Sequence, residues 1–477
     1  MSGSLAEGNI NSTKKKEGQG LFLIFIMAIL GLLTIFVETM LVPGLPNIAE
    51  GFLVGPSDLA WVLTAYTLAG AISIPIIGKL GEMYGRKRML LAVMIVYMSG
   101  LVLAALSWDL SVLIVSRAVQ GVGMGAVPLL MGMAKDVLPP RMVPVGMGLI
   151  SAMMGVGAGL GLVGGGLLIS FIGWKDSFWV VLPVTLLMTL IVENAVPEKQ
   201  VKRQAKLDTV GSALLGAALL SLLLVLSQGS VWGWTSLMAL GLALISVMLF
   251  VLFVLWERRH SEPMVDLKLL RNRNISSAYL SIFFIGLVMF MLFQTLPFFL
   301  EMPKELGGFG ITSQVVIGLF MLPNAITQLI FSPLGGRLGL RIGHSKILVI
   351  GFVITALGLL TLVFLSFSQV GILLSITIFG AGLGLATVGN TNVLASSCTR
   401  ETFGSATAVN STILTIGMST GPVIASLVIG SFGDPVTGYA ITWVLAALLA
   451  LAAIAALLLN KLDLRTKAPH PTADDGM

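Results

Sequence analysis

The sequence is poor in charge, cysteine and histidine. Asp, Glu, Lys and Arg make up only 10% of its 477 residues, against roughly a quarter in soluble domains. The single cysteine, Cys398, cannot form an internal disulfide, and the three histidines (His260, His344, His470) are not at metal-ligand spacing. This composition excludes a water-soluble globule, and we expect no metal and no cofactor.

Catalytic features are also missing. We find no nucleophile paired with a base and no nucleotide-binding loop after a strand, and the glycine clusters lie inside apolar runs. We therefore expect no enzyme activity. The net charge of +6 comes from bases between the apolar runs, so we expect a lipid bilayer as partner and no nucleic acid.

What the sequence does contain is hydrophobic residues, 56% of the chain, in runs long enough to cross a bilayer as helices of about 20 residues. The first run follows three lysines but is not closed by a cleavage site, so we predict a membrane helix there rather than a secretory signal. We predict an all-α integral membrane protein with fourteen spans, numbered 1 to 14 along the chain: Leu21 to Val42, Leu59 to Ile77, Met89 to Leu106, Leu110 to Ala134, Val145 to Ile172, Phe178 to Val192, Val210 to Leu226, Leu237 to Trp256, Ser277 to Leu300, Val315 to Leu334, Ile347 to Leu365, Val370 to Leu394, Gly404 to Ile429 and Gly438 to Leu459.

The basic residues are strongly biased to one of the two sides implied by fourteen spans. One side holds only Lys175 and Lys304, and Arg117 lies within span 4, so all other Lys and Arg residues fall on the opposite side. Lys and Arg in short loops favour the cytoplasm. The bias therefore predicts that both termini are cytoplasmic.

The chain contains an internal repeat. Residues 78–81 (GKLG) with Gly85 recur as residues 336–339 (GRLG) with Gly343, and later glycines recur at a nearly constant spacing. Transporters commonly consist of two such similar halves. We predict two six-helix bundles separated by an inserted pair, spans 7 and 8. The predicted segments are an N-terminal tail (1–20), the first bundle (21–196), a linker with the inserted helices (197–275), the second bundle (276–460) and a C-terminal tail (461–477).

The loop after span 2, residues 78–88 (GKLGEMYGRKR), resembles the signature loop of the major facilitator superfamily. Glycines allow a tight turn, and an acid beside several bases near helix ends can form a charge latch that breaks when the halves separate. An ordinary basic loop is the alternative. The second copy has Leu340 in place of the acid. The residues that we predict to act in gating are Gly78, Glu82, Gly85, Arg86 and Arg88.

Two further motifs place charge inside the membrane. Residues 117–123 (RAVQGVG) resemble the family's helix 4 motif, and residues 37–47 (VETMLVPGLPN) resemble the helix 1 motif of its fourteen-helix drug:proton antiporter branch. Glu38 is the only acid well inside a predicted span. We predict that Glu38 and Arg117 couple transport to protons. A structural Glu–Arg pair, or Arg117 reaching the outer surface, are the alternatives.

Span 5 contains residues 155–166 (GVGAGLGLVGGG), similar to the glycine-rich motif of exporters, although Leu162 stands where that family usually has proline. Glycines spaced by four let another helix approach closely. We predict that Gly157, Gly161 and Gly165 form a movable seam between the two halves. Close packing without an antiport role is the alternative.

These resemblances imply a monomeric multidrug exporter of the plasma membrane that moves small amphipathic compounds by alternating access, with the proton gradient as its energy source. An importer or facilitator of a metabolite, or a non-transporting sensor or lipid-handling protein, are the alternatives. The substrate site of such folds lies between the halves near the midplane. The polar and aromatic candidates are Trp61, Tyr66, Gln294, Phe298, Asn324, Gln328, Asn390, Asn392 and Asn410.

Overall fold

A computed structural model describes residues 2–54, 56–139, 142–198, 208–260, 271–398 and 403–460, and these residues are almost entirely helical. Fourteen of the helices in this part of the chain are long and apolar enough to cross a membrane, which confirms the predicted number. The helices that contain spans 1 to 7 are Ser2–Met40, Pro56–Tyr84, Arg86–Ala105, Leu110–Gly121 continued by Ala126–Val137, Val143–Ile172, Trp174–Ala195 and Thr209–Trp232. Those of spans 8 to 14 are Leu237–Arg259, Arg273–Glu301, Gln314–Ile342, His344–Leu365, Gln369–Ser397, Phe403–Gly430 and Pro435–Leu459.

Polar side chains begin several of these helices. Asp109, Asp208, Ser236, Asn272 and Asp434 each accept a hydrogen bond from a main-chain N–H of the first turn that follows. The first N–H groups of a helix have no partner within the helix, so such a cap stabilises its start. The loops between the apolar runs therefore specify where these spans begin.

The turns after spans 2 and 10 have the same backbone conformation. Gly85 has φ +99° and Gly343 has φ +101°, a backbone conformation that residues with a Cβ rarely adopt. The two glycines are equivalent in the sequence repeat. The two halves thus share a local structure as well as a motif.

Each half has its own apolar core. One cluster of buried residues, including Met27, Leu130 and Phe178, comes from spans 1 to 6. A second, including Phe352 and Trp443, comes mainly from spans 9 to 14. The exact boundaries of the five predicted segments stay a prediction.

Spans 7 and 8 pack where the two halves meet. Leu215 and Leu219 of span 7 and Phe253 of span 8 form one apolar cluster with Leu68 of span 2, and Ile416 of span 13 packs against it. The inserted pair therefore covers the side on which spans 2 and 13 adjoin. Spans 5 and 10 form a second contact between the halves.

The ends of spans 2, 4 and 6 come together at one end of the bundle, where Arg86 and Arg88 form ion pairs with Asp136 and Glu198. We call this the basic end, because it is the end at which the Lys and Arg residues of the loops are concentrated. The charge bias predicts that it faces the cytoplasm.

Candidate functional site

Arg117 is fully buried in the first bundle and is the centre of the candidate site. Its Nε donates to the main-chain oxygen of Val62 at 3.1 Å, and Nη1 donates to the main-chain oxygen of Val37 at 3.1 Å. Nη1 also donates to Oε1 of Gln120 at 2.7 Å, and Nη2 donates to the main-chain oxygen of Glu38 at 3.2 Å. The guanidinium therefore ties span 4 to spans 1 and 2. This geometry contradicts the alternative that Arg117 reaches the outer surface.

The Glu38 side chain is only 5% exposed. Neither of its carboxylate oxygens has a hydrogen-bond partner in the part of the chain that the structure describes. Arg117 instead binds the main chain of Glu38, and the ion pairs found among the described residues do not include these two. The two groups predicted to act together are adjacent, but the carboxylate is not neutralised by a direct contact.

Aromatic residues support the guanidinium. The Cζ atom of Arg117 lies 4.4 Å from the centre of the Tyr66 ring, and the Tyr66 hydroxyl donates to the main-chain oxygen of Thr34 at 2.8 Å. Tyr97 donates to the main-chain oxygen of Leu33 at 3.2 Å. Tyr66 was predicted to contact substrate, but it is fully buried and packs against Arg117 in this structure.

Tyr97 and Gln120 lie at this site, although the sequence motifs did not predict them. Gln120 accepts from Arg117 and donates through Nε2 to the main-chain oxygen of Gly100 at 2.9 Å. Its position one helical turn after Arg117 was the signal available, because residues three apart on a helix are neighbours. Nothing in the local sequence around Tyr97 pointed to its hydrogen bond with span 1.

Two predicted substrate residues form a buried network in the second bundle. Asn390 donates through Nδ2 to the main-chain oxygen of Ala278 and to Ser281 Oγ, and its Oδ1 accepts from Asn410 Nδ2 at 3.2 Å. These bonds connect spans 9, 12 and 13. The Oδ1 atom of Asn410 is buried and has no partner among the described residues. In this conformation the network holds helices together rather than lining an open site.

Another predicted pair lies where the halves adjoin. Gln328 Nε2 donates to Asn324 Oδ1 at 3.1 Å within span 10. A Cβ placed on Gly155 of span 5 would lie 3.4 Å from Gln328 Oε1. The Gln328 amide is therefore positioned between the two bundles.

The remaining substrate candidates are more accessible. Trp61, Gln294 and Asn392 are partly exposed, and Phe298 is 39% exposed. Their assignment to the substrate site stays a prediction.

Two bases of the predicted charge latch form ion pairs, but with acids other than the expected one and within the first bundle, so their role in gating stays a prediction. Arg86 forms an ion pair with Asp136 at the end of span 4 and donates to the main-chain oxygen of Gly132 at 3.0 Å. Arg88 forms an ion pair with Glu198, which follows span 6. Glu82, the expected acid, is in neither pair. The partners come from helix ends that are remote in sequence, so the loop motif alone could not identify them.

Gly132 makes room for this latch. A Cβ at that position would lie 2.4 Å from Arg86 Nε. Nearby, Lys87 Nζ donates to the main-chain oxygen of Glu193 at 2.6 Å. The latch joins the loop to spans 4 and 6, all within the first bundle.

The predicted glycine seam faces a different neighbour than expected. A Cβ on Gly157, Gly161 or Gly165 would lie within 2.6 Å of a main-chain oxygen of span 1. Thr39 of span 1 also donates through Oγ1 to the main-chain oxygen of Ala158 at 3.0 Å. Span 1 belongs to the same bundle, so the expected seam between halves is wrong at these three glycines.

The face of span 5 that adjoins the other half carries other small residues. A Cβ on Gly159 would lie 2.1 Å from Cβ of Ala325 in span 10, and one on Gly318 would lie 2.9 Å from the main-chain oxygen of Leu162. Gly157 and Gly159 are two residues apart and lie on different sides of the helix. One glycine-rich helix therefore packs closely against two partners.

Comparison with known proteins gives consistent matches. The sequence is 30% identical over 407 residues to the "Multidrug resistance protein Stp" of Mycobacterium tuberculosis, covering 84% of this chain and 75% of that one. It is 28% identical to the "Multidrug transporter protein MdtP" of Bacillus subtilis, covering 80% and 70% of the two chains. It is 27% identical to the "Tetracenomycin C resistance and export protein" of Streptomyces glaucescens, covering 81% and 71%.

A solved structure shows the same fold. The human organic anion transporter MFSD10 (TETRAN) superposes with a TM-score of 0.65 at 16% identity, covering 92% of this chain and 99% of that one. The family model of the Major Facilitator Superfamily matches residues 27–259 and 278–475. With its fourteen apolar helices and its two similar halves, this chain belongs to the Major Facilitator Superfamily and is a multi-pass membrane transporter rather than an enzyme.

Proposed function

We propose that this transporter exports small amphipathic compounds across the plasma membrane in exchange for protons, and that Glu38 is the proton-binding group. One observation carries the proposal: the buried carboxyl group of Glu38 has no hydrogen-bond donor among the described residues, yet lies on the turn that Arg117 binds. Buried ionisable groups in membrane helices are costly and are usually retained for ion or proton transfer.

The surroundings of Glu38 support both proton binding and proton release. Removal from water favours the neutral form of any carboxyl, whereas a nearby positive charge or access to water favours the charged form. Arg117 is held by four acceptors, so its charge keeps a constant position in this conformation. In this proposal, a change in the position or hydration of Glu38 during the transport cycle changes its protonation.

Coupling requires that protonation and substrate binding favour opposite-facing states. A ligand shifts a conformational equilibrium only by the difference between its affinities for the two states. We propose that protonation from outside and substrate loading from inside each stabilise one state, so that one movement drives the other. Glu38 lies on span 1, which packs closely against the glycines of span 5. Any rearrangement of span 1 must therefore disturb a tightly packed contact beside Glu38.

Drug export as the physiological task is supported by the printed names of the relatives, which are resistance, multidrug and export proteins. The 24 methionines agree with an adaptable apolar binding surface, because their side chains are flexible and polarisable. The candidates for direct substrate contact in the described conformation are the predicted residues that are not buried: Trp61, Gln294, Phe298, Gln328 and Asn392.

The test uses purified protein in vesicles with an imposed proton gradient and a panel of fluorescent cationic and neutral dyes. The Glu38→Gln variant should lose gradient-driven accumulation but keep dye binding and dye exchange in the absence of a gradient. Glu50→Gln is the matched control, because Glu50 is an exposed acid just beyond span 1. Full gradient-driven transport by Glu38→Gln would remove Glu38 from the mechanism.

Direction is tested in cells. Deleting the gene should raise dye accumulation, and an uncoupler should remove the difference between cells with and without the transporter. Lower accumulation after deletion would instead indicate import, and no effect on any solute would favour a sensor or lipid-handling role.

A further inference from the structure

The two copies of the loop motif differ in how their bases are neutralised. In the first copy, Arg86 and Arg88 are paired with Asp136 and Glu198. The second copy has the same turn, with Gly343 in the conformation of Gly85. A difference between equivalent, similarly folded loops indicates a difference in what each loop binds.

The second copy lacks acids. Arg337, Arg341 and Lys346 are all exposed, and in the described part of the chain none of them forms an ion pair. Leu340 stands where the first copy has Glu82. Three positive charges at one end of the second bundle are therefore available to an external anion.

The two arginines end an apolar stripe on span 10. Arg337 and Arg341 are four residues apart and lie on the same face of the helix. Leu338 lies between them on this face, and towards the middle of the membrane the face continues through Leu334 and Ile330. These three residues are 43%, 47% and 49% exposed. A lipid-facing hydrocarbon surface thus leads directly to two unpaired guanidinium groups at the basic end.

We propose that this face of span 10 is a binding site for an anionic phospholipid, with the phosphate between Arg337 and Arg341 and an acyl chain along Leu334 and Ile330. Arginine binds phosphate oxygens through paired N–H groups, and bases at the cytoplasmic surface attract anionic lipids. A free phosphate would use the arginines but not the apolar stripe. The continuity of the two surfaces therefore favours a lipid.

The test is native mass spectrometry of the full-length protein in detergent, titrated with phosphatidylglycerol, phosphatidylcholine or inorganic phosphate. The wild-type protein should retain phosphatidylglycerol in preference to phosphatidylcholine. Each arginine near an anionic headgroup contributes a factor of about five, so Arg337→Gln or Arg341→Gln should weaken binding about fivefold and the double variant roughly thirtyfold.

A matched control is Lys79→Gln, because Lys79 is the counterpart of Arg337 in the first copy, where an acid follows at Glu82. This control should leave the affinity for phosphatidylglycerol unchanged. A second variant, Leu340→Glu, keeps both arginines and adds the acid that the second copy lacks. It should weaken phosphatidylglycerol binding about as much as the loss of one arginine.

Two results would overturn the proposal. One is equal retention of phosphatidylglycerol by the wild-type protein and the Arg337→Gln/Arg341→Gln variant. The other is binding of inorganic phosphate with the same dependence on both arginines and displacement of the lipid, which would assign the site to free phosphate.

Discussion

The guanidinium of Arg117 donates a hydrogen bond to the main-chain oxygen of Glu38 at 3.2 Å, while the carboxylate of Glu38 has no hydrogen-bond partner among the described residues. The arginine therefore fixes the backbone of span 1 without neutralising the acid by direct contact. This arrangement keeps a carboxyl group next to a positive charge without a direct contact, and the proposed proton cycle depends on it.

We predict that Arg117→Lys impairs transport and stability. A lysine ammonium cannot reproduce the planar set of donors that reaches Val37, Val62 and Gln120 at once. Charge-assisted hydrogen bonds contribute about 1.5 to 3 kcal/mol each, so we expect a loss of about 2 to 4 kcal/mol. Thermal unfolding in detergent measures it. Arg259→Lys, at an exposed position, is the control, and equal melting temperatures of the two variants would contradict the prediction.

Gly161→Ala should separate spans 1 and 5. Its Cβ would lie 2.0 Å from Thr39 Oγ1 and 2.6 Å from the main-chain oxygen of Phe36, and a helix backbone cannot move aside as a side-chain end can. We expect a loss of about 1 to 3 kcal/mol and reduced gradient-driven transport. Melting temperature and dye flux are the readouts. Gly241→Ala is the matched control, because no atom of a neighbouring described residue lies within 4 Å of a Cβ at that helical glycine.

Asp136→Asn should weaken the latch at the basic end. Arg86 and Asp136 are each 23% exposed, so solvent screens the pair and we expect a loss of only about 1 kcal/mol. The exchange variant Arg86→Asp/Asp136→Arg should recover part of the stability, as a double-mutant cycle in detergent would measure. Equal stability of the single variant and the wild type at low ionic strength would show that the pair contributes nothing.

Asp434→Ala should make the start of span 14 insensitive to acid. Hydrogen bonds from the side chain and main chain of Thr437 hold the pKa of the Asp434 carboxyl below its usual value. Because the folded-state pKa is lowered, the stabilisation is complete above the unfolded pKa of about 4 and is lost as the pH falls through the folded value. The variant should therefore melt below the wild type near neutral pH, and the difference should shrink in acid. A difference that persists unchanged at low pH would refute this.

Much of the architecture was accessible from the sequence because each span is a local property. About 20 consecutive apolar residues specify a membrane helix whatever its neighbours are. The repeat marked by Gly85 and Gly343 was detectable for a similar reason, since a positive φ requires glycine at a defined point of the turn.

The contacts between spans were harder to predict from the sequence. Gly157 and Gly159 read as one motif in the sequence, but they face span 1 and span 10 respectively. Asp136 and Glu198 carry no local signal for their roles, and Tyr66 was assigned to substrate although it packs against Arg117. Each of these depends on helix rotation and on residues remote in the chain.

The amino-acid sequence by itself determined that this chain is a membrane protein with fourteen spans in two related halves, and that the first half holds one acid and one arginine inside the membrane. These features could be predicted because hydrophobicity, turn glycines and the placement of charge each depend on residues that are close together in the chain. Only the tertiary structure decided that Arg117 binds the backbone of Glu38 rather than its carboxylate, which acids close the latch and which helix each glycine meets. Those outcomes depend on how helices rotate and pack against one another, and close packing selects one arrangement from many that the same pattern permits.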